Sequence, residues 1–395
     1  MNWRQTKRGF RIWKISGTVP LILLGCLSHA QTEQPARSTD SQPSNAVSAT
    51  FEKLCNVLDG DSSMEFQCGL AYYSGKGVPQ DYAQAAVWYR KAADHGLGVA
   101  AYNLALLFAD GKGVQQDYSQ AAIWYRKAAD KGIVEAQYNL AFFYSKGQGV
   151  QEDDVQALTL FRTAAERGHA PAQNVLGGLY KEGVGVPQDY KQAAVWYRKA
   201  AEQGHPDAQR NLGLLYAHGL GVRQDSAQTV FWYRKAAEQG EAEAQFYLGI
   251  LYKGGDSVPQ DYAQAATWYR KAAEQGHAEA QSELARLFEE GHGVPLDYAQ
   301  AVVWYRKAAE QGWSEAQFYL ARCYAFGRGV PQSYAEAYFW IDLAAAGPFP
   351  AGPGAAKEQE GAEELRDQTA KNLSPAELSA VQARAIKWFA EHNHN

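Results

Sequence analysis

Residues able to do chemistry are sparse in this chain, and their spacing limits what each can do. His169, His205 and His277 share one position of a 36-residue period, so they fall in different repeats. Side chains placed that way do not readily converge on one metal ion, and a loop-packing or exposed role is expected for them. His392 and His394 sit at the extreme terminus. The four cysteines, Cys26, Cys55, Cys68 and Cys323, are too few for a disulfide scaffold and include no Cys-x-x-Cys pair. Gly-x-Gly loops such as Gly75-Lys76-Gly77 invite a phosphate-cradle reading, but no P-loop lysine-serine pair accompanies them. Neither a His-Glu-x-x-His run nor a Gly-x-Ser-x-Gly elbow is present. The expectation is therefore no catalytic residue, no metal and no cofactor.

The elements behind these residues are repeated. A Gly-Val-x-Gln-Asp-Tyr motif or close variant begins at positions 77, 113, 149, 185, 221, 257, 293 and 329. A Leu landmark keeps the same step, occupied by Cys68, Leu104, Leu140, Leu176, Leu212, Leu248, Leu284 and Leu320. Trp-Tyr-Arg-Lys-Ala-Ala begins at Trp88, Trp124, Trp196, Trp232, Trp268 and Trp304, with variants at Leu160 and Trp340. Each unit reads as two helices. Ala136, Leu140, Phe143 and Tyr144 recur at helical spacing on one face of the first. Glycine then closes that helix, since it enters the left-handed conformation at a C-terminus. An aspartate followed three residues later by glutamine opens the second helix, as at Asp81/Gln84, with Ser333/Glu336 in the last unit. One hairpin cannot bury its own apolar face, so stacked hairpins are expected: an all-α solenoid of eight units over residues 63–350.

The unit AQFYLGILYKGG…VPQDYAQAATWYRKAAEQGHAE resembles the Sel-1-like repeat, a relative of the tetratricopeptide repeat. The resemblance covers about three quarters of the chain. It implies a right-handed superhelix with a concave binding face and use as a protein–protein adaptor. Exported bacterial members of the family imply host interaction or envelope assembly.

Composition agrees with a folded, non-nucleic-acid-binding protein. Hydrophobic residues make up 46% and charged residues 21%, and 24 Tyr and 11 Trp accompany two Met. Five basic residues, Arg4, Lys7, Arg8, Arg11 and Lys14, crowd a leader without acids; removing them lowers the basic count from 38 to 33 against 43 acids. An acidic mature chain lacks the basic surface that non-specific nucleic-acid binding needs. The basic stretch, an apolar run from Thr18 to Leu27 and Ser28-His29-Ala30 form an export-signal pattern over 1–30. Leu23-Leu24-Gly25-Cys26 also resembles a lipobox, which would acylate Cys26 and tie the chain to a membrane. A flexible linker over 31–45 suits either form.

The ends read as caps. Residues 46–62 are expected to form an N-terminal capping helix. In an oxidising compartment Cys55 and Cys68 pair as a disulfide; otherwise they are two buried thiols. Cys323 stands at a core position and reads as a buried thiol. Gly347 to Gly361 read as a Pro/Gly/Ala-rich loop, residues 351–395 as linker and C-terminal capping helix, and Ser374-Pro375 starts that helix.

On a helical wheel centred on Leu140, positions 138 and 142 lie about 160° from the core direction. They carry Tyr102/Leu106, Tyr138/Phe142, Phe246/Ile250 and Phe318/Arg322, with Arg210 in another unit. Two readings stand: a binding stripe on the concave face, rich in the aromatics and Arg of interaction hot spots, or packing between neighbouring first helices. The leading function is a non-catalytic, exported scaffold that holds a protein or peptide. The alternatives are an envelope assembly lipoprotein anchored at Cys26 and, less favoured, a cell-wall-directed hydrolase. The oligomeric state is left open.

Overall fold

The structure is a computed structural model that describes Cys55, residues 60–347 and residues 355–392. The expected export signal, Cys26, the 31–45 linker, most of the N-terminal cap and residues 348–354 lie outside the described residues. Within them the chain is entirely helical. The first three hairpins are α1 (Ser62–Ser74) with α2 (Tyr82–Asp94), α3 (Gly98–Asp110) with α4 (Tyr118–Asp130), and α5 (Val134–Lys146) with α6 (Asp154–Glu166). The next three are α7 (Ala170–Glu182) with α8 (Tyr190–Glu202), α9 (Pro206–His218) with α10 (Ser226–Glu238), and α11 (Ala242–Gly254) with α12 (Tyr262–Glu274). The last two are α13 (Ala278–Glu290) with α14 (Tyr298–Glu310) and α15 (Ser314–Phe326) with α16 (Tyr334–Ala346). Two further helices follow, α17 (Ala355–Ala370) and α18 (Pro375–His392). The chain divides into two compact units, residues 1–167 and 168–395. The first holds α1–α6 and the second α7–α18.

The start and stop signals act as the sequence implies. Asp81 Oδ1 accepts from the N–H groups of Ala83 and Gln84 at 2.9 and 3.0 Å, filling two helix-start donors. The Leu140 register is buried throughout, from Leu104 to Leu320. In four hairpins the second-helix tyrosine lies on a glycine of the first helix. A Cβ added to Gly69 would stand 2.5 Å from the Tyr89 ring.

Arginines on the outer side of the second helices reach into the following hairpin. Arg90 lies 5.7 Å from the ring centroid of Phe108 in the next first helix. Arg126 with Tyr144, Arg198 with Tyr216, Arg270 with Phe288 and Arg306 with Tyr324 repeat the contact. Lys91, Lys127, Lys199, Lys271 and Lys307 each place Nζ within 4.4 Å of the ring centroid of the tryptophan three residues earlier. These cations are therefore engaged with aromatic rings.

The C-terminal segment corrects one expectation. Residues 355–361, read as loop, belong to α17, because the Ala/Lys/Glu/Gln run there consists of strong helix formers. Helix α17 packs on α16 as α9, α11, α13 and α15 pack on the second helices that precede them in the same unit. Helix α18 lies along α16, with Val381 and Ala385 buried. Arg384 pairs with Glu336 and stacks 3.8 Å from the centroid of Phe339. This cover explains why the last unit departs from the repeat. Its outer Gln, Val and Lys positions become Glu336, Phe339 and Leu343, of which Glu336 and Phe339 meet Arg384 of the covering helix.

In five loops the second glycine, Gly113, Gly149, Gly221, Gly293 or Gly329, meets the backbone of the preceding hairpin. A Cβ on Gly293, at φ +69°, would fall 2.2 Å from the Tyr262 carbonyl carbon, whereas Gly276, at φ +91°, has open space around it. Gly293→Ala should therefore lower stability by about 1–3 kcal/mol more than Gly276→Ala. Urea midpoints of the two variants check this.

Candidate functional site

The stripe predicted to point away from the core is largely covered. Tyr102 is 0% and Phe246 7% exposed, and Leu106 is buried. Their cover comes from two sides. The Tyr102 ring stands 5.9 Å from Tyr125 in the same hairpin, and its hydroxyl lies in the field of Glu135 on the next first helix. Phe246 packs 5.9 Å from Tyr269 and 4.7 Å from His277. These two residues are packing residues. The wheel treats a helix as isolated, and a stacked neighbour closes the face it leaves open. Tyr138 and Phe142 are half-buried around Phe161, at centroid distances of 5.9 and 4.9 Å.

Along the second unit the same face is more open. Ile250 is 40% exposed, and Arg210, Phe318 and Arg322 are half-buried. Arg210 Nε bridges Glu241 Oε1 at 3.2 Å and Glu243 Oε2 at 3.4 Å. Arg322 stands 5.8 Å from the Phe318 ring and 5.4 Å from Tyr319. The neighbouring register supplies Asn211, Tyr247, Glu283 and Tyr319. Tyr247 stacks on Tyr233 at 5.1 Å and Tyr319 on Tyr305 at 5.4 Å, each pair inclined by 15°. The signal for this register was visible: the position changes type in nearly every repeat while the second helices hardly change.

Groups suggestive of catalysis have structural roles. The N–H groups of Ala172, Ala208 and Ala280 donate to Nδ1 of His169, His205 and His277 at 3.3, 3.4 and 3.3 Å. Each histidine thus caps a first helix. Burial pushes the Cys323 thiol up to about 12, as expected for a core position. Cys55 and Cys68 are joined in a disulfide, with Cα atoms 6.1 Å apart. Among the described residues no group of three or more His, Cys, Asp or Glu is placed to hold a metal. Nor is any described helix long and apolar enough to cross a membrane.

The Sel1 repeat family model matches eight consecutive segments: 63–97, 98–133, 134–169, 170–205, 206–241, 242–277, 278–313 and 314–348. The chain belongs to the Sel1 repeat family. A solved Sel1 repeat protein from Oxalobacter formigenes is 30% identical, with 84% of this chain and 98% of that chain covered at a TM-score of 0.61. A second solved structure is described as a protective antigen present in uropathogenic Escherichia coli strains displaying an SLR fold. It is 32% identical over 87% of this chain and 86% of that one, with a TM-score of 0.46. No curated protein matches the chain. Sel1 repeat proteins are generally protein–protein interaction scaffolds, and the fold is typically non-enzymatic.

The histidine caps carry a pH dependence. Burial holds His205 and His277 below the usual histidine range, which leaves Nδ1 neutral and able to accept the cap hydrogen bond. Their folded values lie under the unfolded one, so their contribution is present above about pH 6.5 and is lost as pH falls below it through the folded values. The double variant His205→Asn, His277→Asn should lose less stability than the parent between neutral and mildly acidic pH, since Asn caps without titrating. Thermal melts at both pH values measure it.

Proposed function

We propose that this Sel1 repeat protein is an exported, non-catalytic scaffold that holds a protein or peptide on the first-helix face of its second unit. One observation carries the reading. The second helices repeat almost unchanged and spend their Arg, Lys and aromatic residues on stapling the hairpins. The first-helix positions around Tyr247, Ile250, Phe318, Tyr319 and Arg322 vary from repeat to repeat and remain partly open. Constancy serves the fold; variation on an open face serves recognition of something that does not itself repeat.

Export is supported by the basic, apolar and small-residue order of the leader, and by the Cys55–Cys68 disulfide, which suits an oxidising compartment. The intact mass of the mature protein should place its N-terminus at Gln31. A diacylglycerol adduct on Cys26 would instead make it a lipid-anchored envelope protein.

The docking face has its own test. With residues 31–395 as bait, the triple variant Ile250→Ser, Tyr319→Ser, Arg322→Ser should lose the captured partner and keep its helical circular dichroism. Tyr102→Ser, in contrast, should cost about 3 kcal/mol or more of stability, because it empties a closed core position. A triple variant that still captures the partner refutes the assignment of the face.

A further inference from the structure

The charges on the open face of the second unit are unevenly paired. Glu241 and Glu243 share Arg210. Glu283 is held by Lys253 Nζ at 2.7 Å and by Arg286. Between them lies Glu279, half-buried, with no hydrogen-bond or ion-pair partner among the described residues. Partial burial, then Glu243 and Glu283, push its carboxyl above the ordinary carboxylate range. The Tyr247 phenol lies in the field of Glu243 and Glu279, and its hydroxyl is 3.4 Å from Glu243 Oε1. Its ring is held against Tyr233 and keeps an exposed part. Behind the patch the Tyr269 hydroxyl is fully buried, has no hydrogen-bond partner, and lies in the field of Glu283 and Arg286. An unneutralised carboxylate beside a fixed aromatic ring is a combination that a guanidinium or ammonium satisfies through charge and ring face together.

We propose that the patch formed by Glu279, Glu243 and Tyr247 receives a Lys or Arg side chain, so that the first-helix face of the second unit selects basic peptide segments. The proposal rests on the reading that this face is where the partner docks. It adds the partner's chemistry. Tyr319, stacked on Tyr305 in the same register two repeats further along, offers a second aromatic platform to the same extended segment. The cations of the second helices do not compete for the patch, because they are engaged with Trp, Tyr and Phe rings.

The experiment pans a random short-peptide display library against the full-length chain. Enriched peptides should be rich in Lys and Arg. Their affinity should fall about tenfold in Glu279→Gln, a near-isosteric change that leaves the fold intact, and should weaken with salt. Glu274→Gln, on the exposed end of α12, should leave it unchanged. Basic peptides that bind Glu279→Gln as tightly as the parent overturn the proposal, since simple attraction to an acidic chain then explains them. Neutral or acidic peptides that lose binding in the double variant Tyr247→Ser, Tyr319→Ser overturn the basic-partner chemistry but keep the docking face. Peptides indifferent to every one of these changes, or no enrichment at all, overturn both.

Discussion

The contact on which the architecture depends is a tyrosine ring seated on a helix position too small to resist it. Tyr89, Tyr197, Tyr233 and Tyr269 lie against Gly69, Gly177, Gly213 and Gly249, where an added Cβ would approach the ring to 2.5, 2.6, 2.8 and 2.4 Å. The other hairpins place fully buried alanines there, at Ala105, Ala141, Ala285 and Ala321, with Tyr125, Phe161, Tyr305 and Ile341 at the ring position. The two helices of a hairpin can therefore approach closely, and close approach sets the angle at which the second helix leaves. Interiors this densely filled have few alternative arrangements. With that angle repeated, the arginine of one hairpin meets an aromatic ring of the next, and the loop glycine meets the tyrosine backbone behind it. The sixth repeat departs from this pattern, with Ser257 at the loop-glycine position and Ser226 at the tyrosine position of the preceding hairpin.

A buried polar chain adds to this packing in the second unit. Gln203 donates to Gln173 Oε1 at 2.7 Å, and Gln239 to Gln209, Gln275 to Gln245 and Gln311 to Gln281 follow. Gln209, Gln245 and Gln281 in turn donate to Ala201, Ala237 and Ala273 carbonyls. An amide both donates and accepts, so one residue type satisfies the whole line. The first unit breaks it. Its corresponding pairs are Glu65 with His95, at 2.8 Å, Ala101 with Lys131, and Gln137 with Arg167. Gln137 Oε1 is buried without a partner. Unmet acceptors carry a cost of about 1–3 kcal/mol, so the second unit has the better satisfied interior.

Much of the fold was legible because the signals that set it are local. Aspartate caps, closing glycines and the Leu140 register act within one hairpin, and a 36-residue period restates them eight times. What sequence could not show were contacts supplied by another hairpin. Tyr102 and Phe246 sit on the wheel where solvent should be, and only neighbouring elements bury them. Arg90 and Lys91 lie on the outer side of their helix, and it takes the folded array to bring Arg90 to the Phe108 ring of the next hairpin. Helix α17 was hidden by the Pro/Gly-rich stretch before it, which drew attention from the helix formers beginning at Ala355. The histidine caps were legible in principle: His169, His205 and His277 each stand one residue before a first helix.

These contacts divide the surface by function. A second helix has little freedom: its aspartate caps, its Trp, Tyr and Ala pack, and its Arg and Lys cover rings in its own and the following hairpin. Any partner relying on those side chains would compete with the contacts that hold the array together. The first helix is constrained at its Ala, Gln, Leu and small positions, but its outer register has no such duty. Where that register happens to be needed for packing, as at Tyr102 and Phe246, it is closed. Where it is not, it carries Tyr247, Glu279, Glu283, Tyr319 and Arg322, a sequence of charges and rings without internal symmetry. A repeat array in which symmetry holds the frame and asymmetry lies on one open face suits the proposed binding of a single, directional segment.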